Sequence, residues 1–223
     1  MKGKISVPTK QIDIEIDVQL KEISEFLKDI TPQAIKELGG LFSDTVRGWR
    51  VKNEVGMFKK VKEQIADSGL SIKQIPLKVL VPIMENSSLE EDPLMKEKWV
   101  NMLANAATGQ EEISPNYAAM LNELSPVEVK LLDQIFVEAS RESDYEKRKL
   151  LQFDTGKVRQ IFNISTENAD LIIENLFRLN ILQSPAGHGI SVGEYKFALR
   201  TTKVFEFTTL GYEFVKACRW NTK

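Results

Sequence analysis

From Pro82 to Pro126 the chain reads PIMENSSLEEDPLMKEKWVNMLANAATGQEEISPNYAAMLNELSP, and no other stretch limits the fold as much. Met95, Trp99, Met102, Leu103 and Ala106 recur at intervals of three and four, which is the spacing of one buried helical face. Ser87 or Ser88 is placed to cap that helix, and Glu90, Glu91 and Asp92 would fill a first turn whose free N–H groups favour negative charge. Gly109 is expected to end it. Ser114-Pro115 then opens a second short helix with Tyr117, Met120, Leu121 and Leu124 on its apolar side. Stops this closely spaced admit short helices packed around Trp99 and leave no room for a long strand.

The N-terminal third is less sharply written. Residues 12–18, IDIEIDV, alternate apolar and acidic, as a short strand or extended arm does, although an amphipathic helix through Val18, Ile23, Phe26, Leu27 and Ile30 fits as well. Thr31-Pro32 reads as a cap with proline at the first helical position, Gly39-Gly40 as a break, and Ser43 as the cap of a helix ending near Ser68-Gly69. Residues 41–62 hold six cations (Arg47, Arg50, Lys52, Lys59, Lys60, Lys62) against Asp44 and Glu54. Leu41, Phe42, Trp49, Met57 and Phe58 lie between them. Such a helix either turns an apolar stripe to a core with a solvated basic back, or meets an anionic partner such as a membrane surface or nucleic acid. Residues 70–81, bracketed by Pro76 and Pro82, read as a linker into a short helix or turn.

After Ser125-Pro126 a helix bearing Val129, Leu132, Ile135 and Phe136 is expected to end in the charged run SRESDYEKRK. A short helix over 155–163 and a longer one after a Ser/Thr cap follow. Two strand-like runs, Tyr195–Leu199 and Lys203–Thr208, flank a turn, and a last helix begins near Thr209. Helix, helix-turn-helix, hairpin, helix is the order of a winged helix. The expected fold is therefore mainly α, with helical N-terminal (1–75) and central (76–124) modules and a winged-helix-like module with a small β-hairpin (125–223).

Composition narrows the chemistry. No run of about 18 apolar residues suggests a transmembrane helix, and no apolar segment near the N-terminus suggests a secretory signal. One cysteine, Cys218, forbids an internal disulfide and suits a reducing compartment, so the expected location is cytoplasmic. Residues 1–124 carry 16 Lys/Arg against 19 Asp/Glu, and neither half has the basic excess of a chain built for phosphate backbone. Because His188 and Cys218 are each alone of their type, the usual zinc sites are excluded within one chain. Glu85, Glu90, Glu91, Asp92 and Glu97 are the candidates for gathering a hard cation, yet caps and solvated helix ends account for them without one. A Cys218–His188 dyad is at odds with the placement of Cys218 on an apolar face beside Phe214 and Val215. Gly187, Gly189 and Gly193 open no phosphate loop. No metal, cofactor, small-molecule substrate or catalytic residue is expected.

Pro82, Glu85, Leu89–Asp92, Trp99, Leu103-Ala104, the turn Ser114-Pro115-Asn116-Tyr117 and the segment Leu121–Pro126 together resemble the abortive infection alpha family. The tail Phe207–Cys218 is similar to that family's ending, so the likeness covers residues 76–218. The family turn often has histidine before its proline where this chain has Ser114, so no role is carried onto that position. The resemblance implies a bacterial intracellular protein of phage defence, and it supplies no reaction.

Binding is thus the expected work of the chain, by contact with a protein or by self-association. The expected contact residues are Arg47, Trp49, Arg50, Lys59 and Lys60, which combine positive charge with an aromatic anchor. DNA binding through the winged helix is disfavoured, because the exposed start of its reading helix offers Thr166, Glu167, Asn168 and Asp170, then Glu174, with Arg178 the one cation. Membrane contact through residues 41–62 is a third reading.

Overall fold

The computed structural model describes residues 25, 27–31, 47–185, 189–192, 195–198 and 204–220. It is mainly helical, with a small three-stranded antiparallel sheet and a separate two-stranded pair. The chain divides into two compact units, one of which includes the stretch up to Asn122 and the returning tail from Ala217, and the other Glu123–Lys216. Among the described residues no helix is long and apolar enough to cross a membrane.

The first unit is built from α1 (Arg47–Ser68), α2 (Leu77–Ser87), α3 (Pro93–Thr108) and α4 (Tyr117–Asn122). In α1, Met57, Phe58, Val61 and Ile65 are buried while Lys59, Lys60 and Lys62 face solvent, which is the apolar stripe with a solvated back. Met95, Trp99, Met102 and Leu103 of α3 are all buried and Ala106 is half-buried. Gly109 ends α3 at φ 65°, a left-handed conformation that glycine adopts without penalty. Tyr117, Met120 and Leu121 are buried on α4 as their spacing demands, whereas Leu124, buried as well, lies past the end of that helix at Asn122.

Two expectations in this unit are corrected. The cap of α3 is neither Ser87 nor Ser88, since Ser87 is the last residue of α2 and Ser88 its C-cap. Asp92 does the work, its Oδ1 accepting from the N–H groups of Leu94 at 2.9 Å and Met95 at 3.2 Å. The reason is Pro93: a residue before proline is pushed to extended backbone, and Asp92 at φ −69°, ψ 128° is therefore held in cap geometry. Glu90 serves the same entry, its Oε1 accepting from the N–H groups of Glu91 and Asp92. Pro82, second, does not close the 70–81 segment but sits inside α2, where the buried positions Val79, Leu80, Ile83 and Met84 carry the helix past it.

The tail is held by α3. Asn101 and Asn105, one helical turn apart, donate to three successive carbonyls: Asn101 Nδ2 to Cys218 O at 3.2 Å, and Asn105 Nδ2 to Ala217 O and Arg219 O, both at 2.9 Å. Gln64 Nε2 of α1 donates to Asn101 Oδ1 at 3.0 Å, which fixes the orientation of that amide.

The second unit runs α5 (Pro126–Ala139), α6 (Tyr145–Lys149), β1 (Phe153–Asp154), α7 (Thr155–Phe162), α8 (Thr166–Arg178), β2 (Leu182–Gln183), β3 (Gly189–Val192), β4 (Tyr195–Ala198), β5 (Val204–Phe207) and α9 (Thr209–Ala217). Ser125 and Glu128 form a full capping box at α5. Glu128 is buried, accepting from Ser125 N at 2.6 Å and Ser125 Oγ at 2.7 Å, while its Oε1 takes Asn175 Nδ2 of α8 at 2.7 Å. Asp144 caps α6 inside the charged run, Asp154 caps α7, and Ser165 caps α8.

The strands pair differently from the expectation. Tyr195–Ala198 pairs back onto Gly189–Val192 in register Val192↔Tyr195, and Val204–Phe207 is the centre of the sheet ordered β1-β5-β2. Phe205 and Phe207 explain the choice. Both are buried, Phe205 opposite Phe153 with ring centroids 5.9 Å apart and Phe207 opposite Leu182, so β5 finds apolar cross-strand partners on both sides. The arm at 12–18, the helix start after Thr31-Pro32, the Gly39-Gly40 break and the Ser43 cap lie outside the described residues.

Candidate functional site

Of the five residues expected to form a contact surface, Arg47, Trp49 and Arg50 occupy the first turn of the described part of α1, and their side chains lie outside the described residues. Lys59 and Lys60 are exposed on the same helix. Glu54, one of the two anions counted against the basic run, is buried, but Glu63 and Asp67 face solvent just beyond Lys62. Positive charge on the helix is accordingly weighted to its earlier part.

Lys60 also belongs to something that the sequence did not announce. Helices α1, α2 and α3 leave a cavity of about 230 Å³ between them, lined by Gly56, Met57, Lys60, Lys96, Trp99 and Val100 and bordered by Asn53 and Ser87. Its floor is apolar: Met57, Trp99 and Val100 are buried, Trp99 to 1% exposure. Its polar groups are mostly donors. Asn53 spends its amide on the carbonyls of Ser88 at 3.0 Å and Glu90 at 3.3 Å, tying α1 to the α2–α3 connection. Lys60 is exposed and Lys96 half-buried, and no carboxylate among the described residues lines the cavity. The indole Nε1–H of Trp99 is buried and finds no acceptor among the described residues. Two features hinted at this site in the chain itself: glycine in mid-helix at position 56, and a single tryptophan on an otherwise aliphatic stripe.

Two of the carboxylates weighed for chemistry are occupied locally. Glu90 and Asp92 accept from backbone N–H groups at the start of α3. Among the described residues no group of three or more His, Cys, Asp or Glu side chains is gathered as a metal would need. Cys218 is buried in the tail, and His188 lies outside the described residues.

On α8 of the second unit, Thr166, Glu167, Asn168 and Glu174 are exposed and Asp170 half-buried. Ile173 and Leu176 form its core side, with Ile172, Phe177 and Leu179 half-buried around them. Arg178, the cation of this face, is engaged: its guanidinium meets Glu123 Oε2 at 2.6 Å and Asn175 Oδ1 at 2.8 Å. The backbone N–H of Glu167, then the Ser165 hydroxyl and the charge of Arg159, hold the Glu167 carboxyl below the ordinary glutamate range. Glu167 therefore keeps its charge to a lower pH than an ordinary glutamate does. Leu171, one turn from Glu167, is 64% exposed among these acids.

No curated protein and no solved structure matches the chain. The sequence profile of the abortive infection alpha family matches residues 52–218, which takes in α1 from its second turn, the cavity and all of the second unit. The chain belongs to the abortive infection alpha family, whose setting is defence against phage.

Proposed function

We propose that this protein serves phage defence as a non-enzymatic binding and signalling component in the cytoplasm, acting through contact with a protein or with a second copy of itself. The observation that carries the reading is the outer face of α8. Glu167 and Glu174 stand exposed there, Leu171 projects between them, and Arg178 is tied to Glu123 and Asn175. Acid beside phosphate repels, whereas an exposed leucine ringed by acid suits a protein surface carrying base and an apolar hollow. The early part of α1, with Arg47, Trp49, Arg50, Lys59 and Lys60, offers charge of the opposite sign for such a contact. The use of Glu90 and Asp92 as helix caps supports the absence of catalysis.

The second unit is, in this reading, a winged helix put to protein contact. The sheet order β1-β5-β2, with the α7–α8 pair between β1 and β2 and the β3–β4 pair before β5, supports it. The same topology keeps one other reading in view, a DNA-binding regulator, and fold alone does not choose between them. A gel-shift titration over a range of salt separates the two. Weak binding without a steep salt slope is expected, and tight binding that collapses with added salt sinks the proposal. In parallel, a Lys59→Glu/Lys60→Glu variant is expected to lose the partner, or the higher mass in solution, that the wild type shows.

A further inference from the structure

The cavity between α1, α2 and α3 is the part of the molecule that a protein-contact reading leaves unexplained. A volume of about 150 Å³ with apolar walls accommodates benzene. At about 230 Å³ this one has room for a single ring and a small charged group. The apolar floor of Met57, Trp99 and Val100 suits the ring. The polar groups suit the charge: Lys60 and Lys96 approach from two different helices, neither paired with a carboxylate among the described residues. Two ammonium groups are donors only, so a ligand held by both must accept.

Gly56 is a separate observation pointing the same way. It lies in the interior of α1, where glycine is the poorest helix former after proline. A Cβ built there meets nothing within 4 Å, so no neighbouring chain forces the choice. What the missing side chain leaves is open space on the cavity wall. The geometry points to a binding site for a small ring-bearing anion, its ring on Met57, Trp99 and Val100 and its carboxylate or phosphate held by Lys60 and Lys96. The site shares Lys60 with the proposed protein contact, and the two are told apart through Lys96 and Gly56, which that contact does not use.

The test is a titration of the full ¹⁵N-labelled chain with benzoate, with phenyl phosphate and with benzyl alcohol, following the indole N–H signal of Trp99 assigned with a Trp99→Phe variant. Each probe is carried to about 10 mM, above the roughly millimolar affinity that a fragment of this size reaches. A saturable shift with either anion and little with the alcohol is expected, and the tighter anion names the head group. A Lys60→Met/Lys96→Met variant should bind about tenfold more weakly or worse, because two charge-assisted contacts are gone. A Gly56→Leu variant, whose side chain fills the space, should lose binding while melting no lower than the wild type. A Trp99 signal that neither anion moves overturns the assignment. So does an equal response to benzyl alcohol that survives loss of both lysines, which would mark a plain apolar hollow.

Discussion

Asn105→Ala tests how the C-terminal tail is held. Asn105 is fully buried and its Nδ2 serves the carbonyls of Ala217 and Arg219, both at 2.9 Å. Truncation leaves two acceptors without their donor, at about 1–3 kcal/mol each where water cannot reach them. Two effects reduce the total. Arg219 is half-exposed, so its carbonyl has access to water, and Asn105 Oδ1, itself buried without a partner, is removed along with the amide. A net loss of about 2 kcal/mol remains, or roughly 4–8 °C in melting temperature for a chain of this size. The chain carries its own reporter, since Cys218 lies between the two clamped carbonyls and is 4% exposed. Opening made easier by about 2 kcal/mol should speed its reaction with a thiol reagent about thirtyfold. Asn105→Asp, which keeps the shape and removes the donor, should do at least as much. An unchanged melting temperature with an unchanged thiol rate refutes the reasoning. A lower melting temperature with Cys218 still protected would assign the loss to packing around α3 and not to the clamp.

Gly211→Ala should destabilise the second unit by about 3 kcal/mol or more, read by denaturant unfolding, because a Cβ there overlaps the backbone carbonyl of Ile181 and backbone cannot step aside. Glu128→Ala removes the acceptor for Ser125 N, Ser125 Oγ and Asn175 Nδ2 together, and a loss of about 2–4 kcal/mol is expected, with Glu128→Gln recovering part of it. Glu167→Gln should lower stability slightly at neutral pH and not at all in strong acid. The depressed Glu167 value stabilises the fold above the ordinary glutamate pKa and is lost as pH falls through the folded one, so a pH series of melts that differs most in acid reverses the sign and defeats the assignment.

Local rules accounted for much of the helical frame. Ser125-Pro126 with Glu128 three residues on is a capping box in the sequence and in the structure. The Met95–Leu103 spacing marked a buried face because 3.6-residue periodicity is a property of the chain, whatever packs on it. Mistakes arose where two local signals competed. Ser87 and Ser88 are good capping residues, but Pro93 restricts Asp92 more strongly than a hydroxyl can attract a backbone N–H. The Tyr195–Leu199 and Lys203–Thr208 runs were adjacent and strand-like, yet pairing is set by which faces meet, and Phe205 and Phe207 meet Phe153 and Leu182 from distant parts of the chain.

The candidate site divides along the same line. Charge and type at Lys59 and Lys60, and the acid on α8, could be counted in one dimension, because a residue's chemistry does not depend on its neighbours. The association of Lys60 with Lys96 beside Trp99 could not, because residues on α1 and α3 share a wall only once the helices cross. By itself the amino-acid order determined the family, the helical class and the caps, which act over one or two turns. The tertiary structure alone decided which strands pair, what Asn101 and Asn105 hold, and where a cavity opens beside Trp99, since each depends on contacts between residues tens of positions apart.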